Sequence, residues 1–209
     1  LSVPSVDKGR EPSKGNQIPR WMASRAFKEA VRLSGGKVAA IVHPFYSEGD
    51  EKFVSGLKEL VQKSKAPIVV FEQEEENAIA VTRERFVRFA PNRRIFIVKT
   101  HQQSHFPKYD YAEFHQAFKG AGVTTVLLGG TNCTLAPRNR VRVLEDMAKA
   151  HLIPYLPRPL PSGDVLMECV GYTYDYFKRS GYRVGLMPRV CFPYRPEAEK
   201  LSKDLREPT

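Results

Sequence analysis

Four consecutive residues, Gly129, Gly130, Thr131 and Asn132, follow a run of apolar residues that is typical of a buried strand. Open α/β sheets bind ligands at the carboxyl ends of their strands, and two glycines there would let the backbone approach a ligand closely. The four residues are therefore a candidate ligand-binding turn. The alternative is a tight turn in which the glycines serve only the backbone, and the sequence leaves both interpretations open.

The cysteines and histidines give little sign of a metal or cofactor site. Cys133, Cys169 and Cys191 are odd in number and widely spaced, so they predict neither a disulfide framework nor a zinc pair. His101 and His105 have the i, i+4 spacing of helical metal ligands, but they lie between a strand and a proline, and no third ligand is evident. Neither GxGxxG nor GxxxxGK[ST] occurs. We expect no metal and no cofactor.

Cysteine usage and hydropathy also bear on location. Unpaired cysteines predict a reducing, intracellular compartment. The chain has no apolar run of the roughly 20 residues that a membrane-spanning helix needs, so we expect no membrane association. No secretory signal is evident, although a chain that begins at Leu1 leaves a removed organellar targeting segment open.

The net charge of +10 over 209 residues favours anionic partners such as RNA or another polyanion. Part of the excess lies in residues 1–37, which include Arg20 and Arg25. A second group of arginines is interrupted by one glutamate and consists of Arg83, Arg85, Arg88, Arg93 and Arg94. We predict that these arginines contact nucleic acid. The alternative is an ordinary solvated basic surface.

Short apolar runs alternate with helical patterns along most of the chain. Apolar runs predict strands at 37–42, 66–71, 94–98, 123–128 and 182–187. Helical spacing predicts helices at 51–64, 110–121, 139–150 and 164–180, while residues 72–92 fit either a strand or a helix. Such alternation predicts right-handed crossovers and a three-layer, Rossmann-like α/β domain with a mainly parallel sheet.

The N-terminal part differs in composition from the rest. Residues 1–36 are predicted to form a basic arm and then a short helix, which ends at Gly35 and Gly36. This helix is either a core element or a docking element. Both interpretations place it before the predicted domain.

The predicted α/β domain covers residues 37–190 and contains an insertion at about 134–163. The Pro-rich stretch 152–163 within this insertion has the composition of a segment that orders on a partner. Residues 191–209 form a C-terminal tail.

Several motifs resemble the isochorismatase-like cysteine hydrolases. The third predicted strand ends in Lys99-Thr100, and a helix then leads to a fourth strand and the turn at 129–132. Cys169 opens the counterpart of the family's nucleophile helix, and this helix ends in Arg-Ser-Gly-Tyr at 179–182. The resemblance covers roughly residues 37–190 and implies the same three-layer fold.

The resemblance also implies a catalytic site. Cys169 would be the nucleophile, with a thiol pKa lowered by the helix N-terminus, and Lys99 would favour the thiolate or stabilise an oxyanion. Cys133 follows the turn directly and is the alternative nucleophile. In the family, an aspartate after the first strand acts as the catalytic base. This chain has His43 at that position, and a histidine could act as a base near neutral pH.

Two functions follow from these observations. We favour a non-catalytic or degenerate isochorismatase-like domain, because the aspartate is missing. It would act as a basic binding or scaffold subunit on nucleic acid or a large protein assembly, docking through the N-terminal arm and the Pro-rich insertion. The alternative is a cysteine-dependent hydrolase of amidase type that uses Lys99 with Cys169 or Cys133. Whether the chain is an enzyme stays open at this point.

Overall fold

The computed structural model describes residues 18–47, 49–74, 77–100, 107–150, 156, 159–160 and 163–192. Its helices are α1 (Arg25–Leu33), α2 (Glu51–Lys63), α3 (Ala78–Phe89), α4 (Tyr111–Gly120), α5 (Val141–Lys149) and α6 (Glu168–Arg179). Its strands are β1 (Lys37–Val42), β2 (Ile68–Gln73), β3 (Ile95–Thr100), β4 (Thr125–Thr131), β5 (Thr134–Ala136), β6 (Val165–Met167) and β7 (Arg183–Phe192). Short 3-10 segments lie at Arg20–Ala23, Pro44–Ser47 and Arg138–Arg140. None of the described helices is long and apolar enough to cross a membrane.

Five of these strands form a parallel sheet in the order β3-β2-β1-β4-β7. The strands are mainly apolar because helices cover the sheet on both faces. β1 lies in the middle and is completely buried from its second residue onward. The predicted three-layer, Rossmann-like α/β fold with a mainly parallel sheet is confirmed.

Large aromatic and aliphatic side chains fill both helix–sheet interfaces. On one face, α1, α4 and α6 bury Phe27, Phe114 and Phe177, each 0% exposed. On the other face, α2 and α3 bury Leu57 and Phe86 against the opposite side of the same strands. Complete burial of a side chain of this size contributes about 2 kcal/mol, so these contacts dominate the stability of the domain. Residues 72–92, for which the sequence fits either a strand or a helix, form the end of β2 and then α3.

The segment before β1 belongs to the core. The Ser24 hydroxyl accepts a hydrogen bond from the Phe27 backbone at the start of α1 (3.3 Å), and Met22 and Val31 are at most 1% exposed. The backbone of Gly36 has φ +78°, and a Cβ there would lie 2.6 Å from a Thr124 oxygen. The helix that could have been a docking element is therefore a core element. Residues 1–17 of the predicted arm lie outside the described residues.

The segment predicted to be an insertion, at about 134–163, contains folded structure. β5 and β6 pair antiparallel, with Thr134 opposite Met167, and α5 lies between them in the chain. The helix predicted to begin at 164 begins instead at Glu168, because the preceding residues pair with β5. Glu168 itself has φ 61°. Most of the Pro-rich stretch 152–163 lies outside the described residues.

β7 is longer than its apolar run predicts. Its register against β4 shifts after Leu128, and pairing resumes between Gly130 and Cys191. The excursion packs on α2, where a Cβ on Gly56 would lie 1.9 Å from a backbone oxygen of β7. Cys191 is therefore inside the domain, and the predicted boundary at 190 moves to the end of β7. The tail at 193–209 lies outside the described residues.

Candidate functional site

The sheet has its topological switch point between β1 and β4, because the chain moves outward to β2 and β3 and then returns to β4. Open parallel sheets bind ligands at the carboxyl ends of the strands on either side of such a point. Here β1 leads into His43 and β4 leads into Asn132. The backbone N–H of Val170, near the start of α6, donates a hydrogen bond to the Asn132 carbonyl (3.0 Å). This edge is the candidate site.

His43 is held at the carboxyl end of β1 and is 1% exposed. Its backbone has φ 45°, and its Nε2 lies 3.1 Å from the Thr100 hydroxyl at the end of β3. Burial lowers the pKa of His43 from 6.5 to about 4. The ring is therefore neutral at neutral pH and is a weaker base than the sequence predicts.

Lys99 is exposed on β3, and its ammonium lies 2.7 Å from a carboxylate oxygen of Glu74. Lys108 pairs with the other oxygen of the same carboxylate. Hydrogen bonds from Lys108 and Lys99 lower the pKa of Glu74 to about 2, and Glu74 in turn raises the pKa of Lys99. β3, which carries Lys99, and β4, which leads into Asn132, are three strand spacings apart, about 14 Å. Lys99 is therefore paired with the neighbouring carboxylate of Glu74 and not with a group at the end of β4.

Cys169 is the second residue of α6 and is half-buried. Backbone N–H groups of Asn132 and of Cys169 itself donate towards its sulfur, which favours the thiolate. Burial outweighs them, and the neighbouring Glu168 carboxylate acts in the same direction, so the pKa of the thiol is raised. The resemblance implied a lowered pKa, and the surroundings of this thiol have the opposite effect.

Cys133 and Cys191 are buried next to each other, at 4% and 1% exposure. A hydrogen bond between their side chains, together with burial, raises the pKa of Cys191. Both are free thiols inside the core that also contains Leu128. Their environment is that of small apolar side chains, and a substrate would have to displace core residues to reach Cys133.

Close strand packing explains the two glycines of the predicted ligand-binding turn. A Cβ on Gly130, whose φ is +130°, would lie 2.1 Å from the Val42 carbonyl oxygen, and one on Gly129 would lie 2.6 Å from that of Val190. Both glycines lie within β4 rather than after it. Thr131 is buried and Asn132 is exposed, and the peptide between them is cis. A ligand role for the four residues stays a prediction.

The sequence did not predict a buried carboxylate, Glu72, at the end of β2. Glu72 is 0% exposed and accepts hydrogen bonds from the Thr82 hydroxyl (2.8 Å) and the Phe45 backbone (3.3 Å). Burial raises its pKa from 4.5 to about 7, against these bonds and the nearby charge of Arg85. The signal in the sequence is an acidic residue directly after the apolar run at 66–71, and the strand continues past that run to Gln73.

The arginines predicted to bind nucleic acid lie in different environments. Arg85 is 3% exposed and donates to the Pro44 carbonyl (2.7 Å), and Arg93 is half-buried and donates to that of Ala66 (2.7 Å). These two guanidiniums hold loops in place. The remaining members of the predicted set are exposed: Arg20, Arg25, Arg83, Arg88 and Arg94.

A second arginine row was not predicted. Arg138, Arg140 and Arg142 are all exposed at the junction of a 3-10 segment and α5. Their signal in the sequence was an arginine at every second position. Among the described residues, no group of three or more His, Cys, Asp or Glu side chains could hold a metal ion. His101 and His105 lie outside the described residues.

Comparison with known proteins gives a distant likeness of fold. No protein-family model matches the chain, and no curated protein sequence matches it. YcaC from Pseudomonas aeruginosa, solved with hexane-2,5-diol and covalent acrylamide, is 12% identical, with a TM-score of 0.44 over 82% of this chain and 72% of its own. The YcaC gene product from Escherichia coli, an octameric hydrolase of unknown specificity, is 12% identical, with a TM-score of 0.43 over 83% and 74%. At these values neither structure assigns a site or an activity to this chain.

Proposed function

We propose that this protein is a non-catalytic binding domain whose partner is a nucleic acid or a similar polyanion. The observation that carries the proposal is the ion pair between Lys99 and Glu74 (2.7 Å), because Lys99 is the cation that would have to favour the thiolate in the implied site. Burial of the Cys169 thiol acts in the same sense, since it raises the pKa of the thiol. The groups of the implied cysteine site are therefore engaged in separate contacts.

Charge supports the choice of partner. The net charge is +10, and several arginines are exposed without an acidic partner among the described residues. Guanidinium groups bind phosphate through paired hydrogen bonds, and phosphate contacts supply most non-specific nucleic-acid affinity. Three free thiols fit a reducing, intracellular location, which is part of the proposal. Docking on a protein assembly through the arm and the Pro-rich insertion also stays a proposal.

Thiol reactivity tests the non-catalytic part. The native protein is treated with iodoacetamide from about pH 6 to about pH 10, and adducts are counted by intact mass. We expect slow modification at Cys169 that accelerates only in the alkaline range, with Cys133 and Cys191 protected. Cys169→Ser is the control and should remove the first adduct. Rapid modification of Cys169 at neutral pH, with a rate that no longer rises above it, contradicts the proposal.

Salt-dependent binding tests the partner. Fluorescence anisotropy of a labelled single-stranded RNA should show binding that weakens steeply between about 50 and 200 mM salt. The reason is that arginine and lysine side chains displace condensed counterions from the RNA, and this release favours binding less as the salt concentration rises. Heparin serves as a second polyanion. Absence of binding to both at the lower salt concentration, or an affinity that does not change with salt, contradicts this part.

A cysteine hydrolase is the second candidate, and one observation favours it. Backbone N–H groups of Asn132 and Cys169 point towards the sulfur at the start of α6, and such donors suit a thiolate or a developing oxyanion. Turnover of small amides or activated esters, lost in Cys169→Ala and in Lys99→Gln, would establish it. Lys108→Gln is the matched control, because Lys108 shares Glu74 with Lys99. Equal turnover in all variants, or none in the wild type, removes this candidate.

A further inference from the structure

The segment between β5 and β6 carries the second arginine row on a defined support. The β5–β6 ribbon is joined to α5 by a small apolar cluster in which Val165 and Tyr172 are buried, at 0% and 7% exposure. Val141 and Leu144 of α5 pack against this cluster. Because Tyr172 belongs to α6, the cluster ties the ribbon and α5 to the main domain.

Arg138 is the best-fixed member of the row. Its backbone N–H donates to the Asp164 carboxylate (3.0 Å), and its side-chain stem lies over Gly163, where a Cβ would come within 2.8 Å of the Arg138 Cδ. Gly163 has φ +86°, so glycine is favoured there for its backbone as well. These contacts restrict the backbone and the aliphatic part of Arg138, so less conformational entropy is lost when its guanidinium group binds a ligand.

The row differs from the arginines that form ion pairs, and it differs from the other unpaired surface arginines in placing three arginines within five residues. Arg32 pairs with Glu29, Arg179 with Asp175 and Arg189 with Glu59. Among the described residues, no ion pair or hydrogen bond engages the guanidiniums of the row, which is defined by Arg138, Arg140 and Arg142. Three exposed guanidinium groups within five residues, none of them in an ion pair among the described residues, raise the positive potential around this segment.

The surroundings of the row favour phosphate over lipid or a protein surface. An interfacial helix needs a free apolar face, but Val141 and Leu144 of α5 are packed against the small cluster. A protein interface has an apolar centre, and among the residues of this segment that the structure describes, Val143, at 55% exposure, is the large exposed hydrophobic side chain. Guanidinium groups with little apolar surface beside them suit a chain of phosphate groups better than a lipid or protein surface.

We infer that Arg138, Arg140 and Arg142 form the principal contact surface for the phosphodiester backbone of a nucleic acid. The inference rests on the proposed function and assigns it to the insertion rather than to the arginines of α3. Each guanidinium contacts one phosphate, and the ribbon and α5 hold the three in a fixed arrangement.

Two triple variants of the full chain with the same change in charge test the inference. Arg138→Gln/Arg140→Gln/Arg142→Gln removes the row, and Arg83→Gln/Arg88→Gln/Arg94→Gln removes three exposed arginines of the predicted set. Affinity for a labelled single-stranded RNA and for a duplex DNA is measured as a function of salt, and thermal unfolding checks that both variants fold.

We expect the row variant to lose tenfold or more in affinity, and the slope of log K against log salt to fall by about 2, at about 0.7 per single-strand phosphate. The other triple variant should lose clearly less. Equal losses in the two variants, or an unchanged row variant, overturn the inference while leaving the proposed function standing. If the wild type binds neither nucleic acid, both fail. Row-dependent binding of polyglutamate or phosphatidylserine vesicles, without nucleic-acid binding, also overturns it.

Discussion

The carboxyl edge of the sheet and the insertion differ in whether their charged side chains are paired. At the edge, the charge of Lys99 is neutralised by Glu74, and His43 and Glu72 are buried with hydrogen bonds to neighbouring elements. On the insertion, the guanidinium groups of the arginine row are exposed and form no ion pair among the described residues. These polar groups at the edge are therefore engaged by neighbouring elements, whereas the guanidinium groups on the insertion are exposed. Substitutions at the edge should accordingly change stability, and substitutions in the row should change binding.

Gly130→Ala should have the largest effect. A methyl group there would overlap the Val42 carbonyl at 2.1 Å in a backbone conformation with φ +130°. Overpacking and backbone strain together should cost about 4 kcal/mol of the free energy of unfolding. Urea unfolding measures it, and Gly120→Ala, with no atom within 4 Å of its Cβ, is the control. A loss below about 1 kcal/mol would mean that the edge is open enough to hold a ligand.

Glu72→Gln should change how stability depends on pH. The pKa of Glu72 is about 7 in the folded protein against an ordinary 4.5, so the folded state binds the extra proton between these values. Wild-type stability should therefore fall as pH rises from 4.5 to 7, by about 3 kcal/mol at 1.4 kcal/mol per pH unit, relative to the variant. Urea unfolding of both proteins across this range measures the difference. Parallel pH profiles would show that Glu72 is already ionised at low pH.

His43→Asn should give a change of similar or smaller size and opposite sign. The pKa of His43 falls from 6.5 to about 4 on burial, so its contribution to stability is present above 6.5 and is lost as pH falls towards 4. Wild type should lose about 3 kcal/mol over that window relative to the variant. Asparagine tolerates the left-handed backbone of this position. Because His115 titrates in both proteins, the comparison isolates His43. Identical profiles would place His43 in contact with solvent.

Glu74→Gln should have the smallest effect on stability. Its ion pairs are partly exposed, and such pairs contribute about 1 kcal/mol or less. The variant also removes the carboxylate that pairs with the Lys99 ammonium, so the positive charge at the edge would increase. Stability by urea unfolding and RNA affinity by anisotropy should show a small loss and a small gain, respectively. A large gain in affinity would shift the main binding surface from the row to the edge.

Local signals predicted the elements well where one segment controls its own conformation. Asp110 caps α4 by accepting from the Glu113 backbone (2.9 Å), and Gly35 and Gly36 end the first helix with positive φ. Predictions failed where a distant segment decides the pairing. The residues before Glu168 form β6 because β5 lies opposite, and β7 continues past its apolar run because β4 lies beside it.

The candidate site shows the same division. Residue types and order predicted that Lys99 and His43 lie at the carboxyl edge, because parallel strands end at the same edge. The partners of these residues could not be predicted, since Glu74 is 25 positions from Lys99 and Thr100 is 57 from His43. The pKa of a group depends on such partners and on burial, and both are properties of the folded chain.

By itself, the sequence determined that this chain forms a parallel α/β sheet with an excess of positive charge, because apolar periodicity and charge are carried by each segment alone. The tertiary structure decided which charges are neutralised and which remain exposed. At the carboxyl edge, chain segments that are far apart in sequence meet and satisfy one another's polar groups. On the insertion, apolar side chains of α5 pack inward, and the guanidinium groups of the arginine row form no ion pair among the described residues.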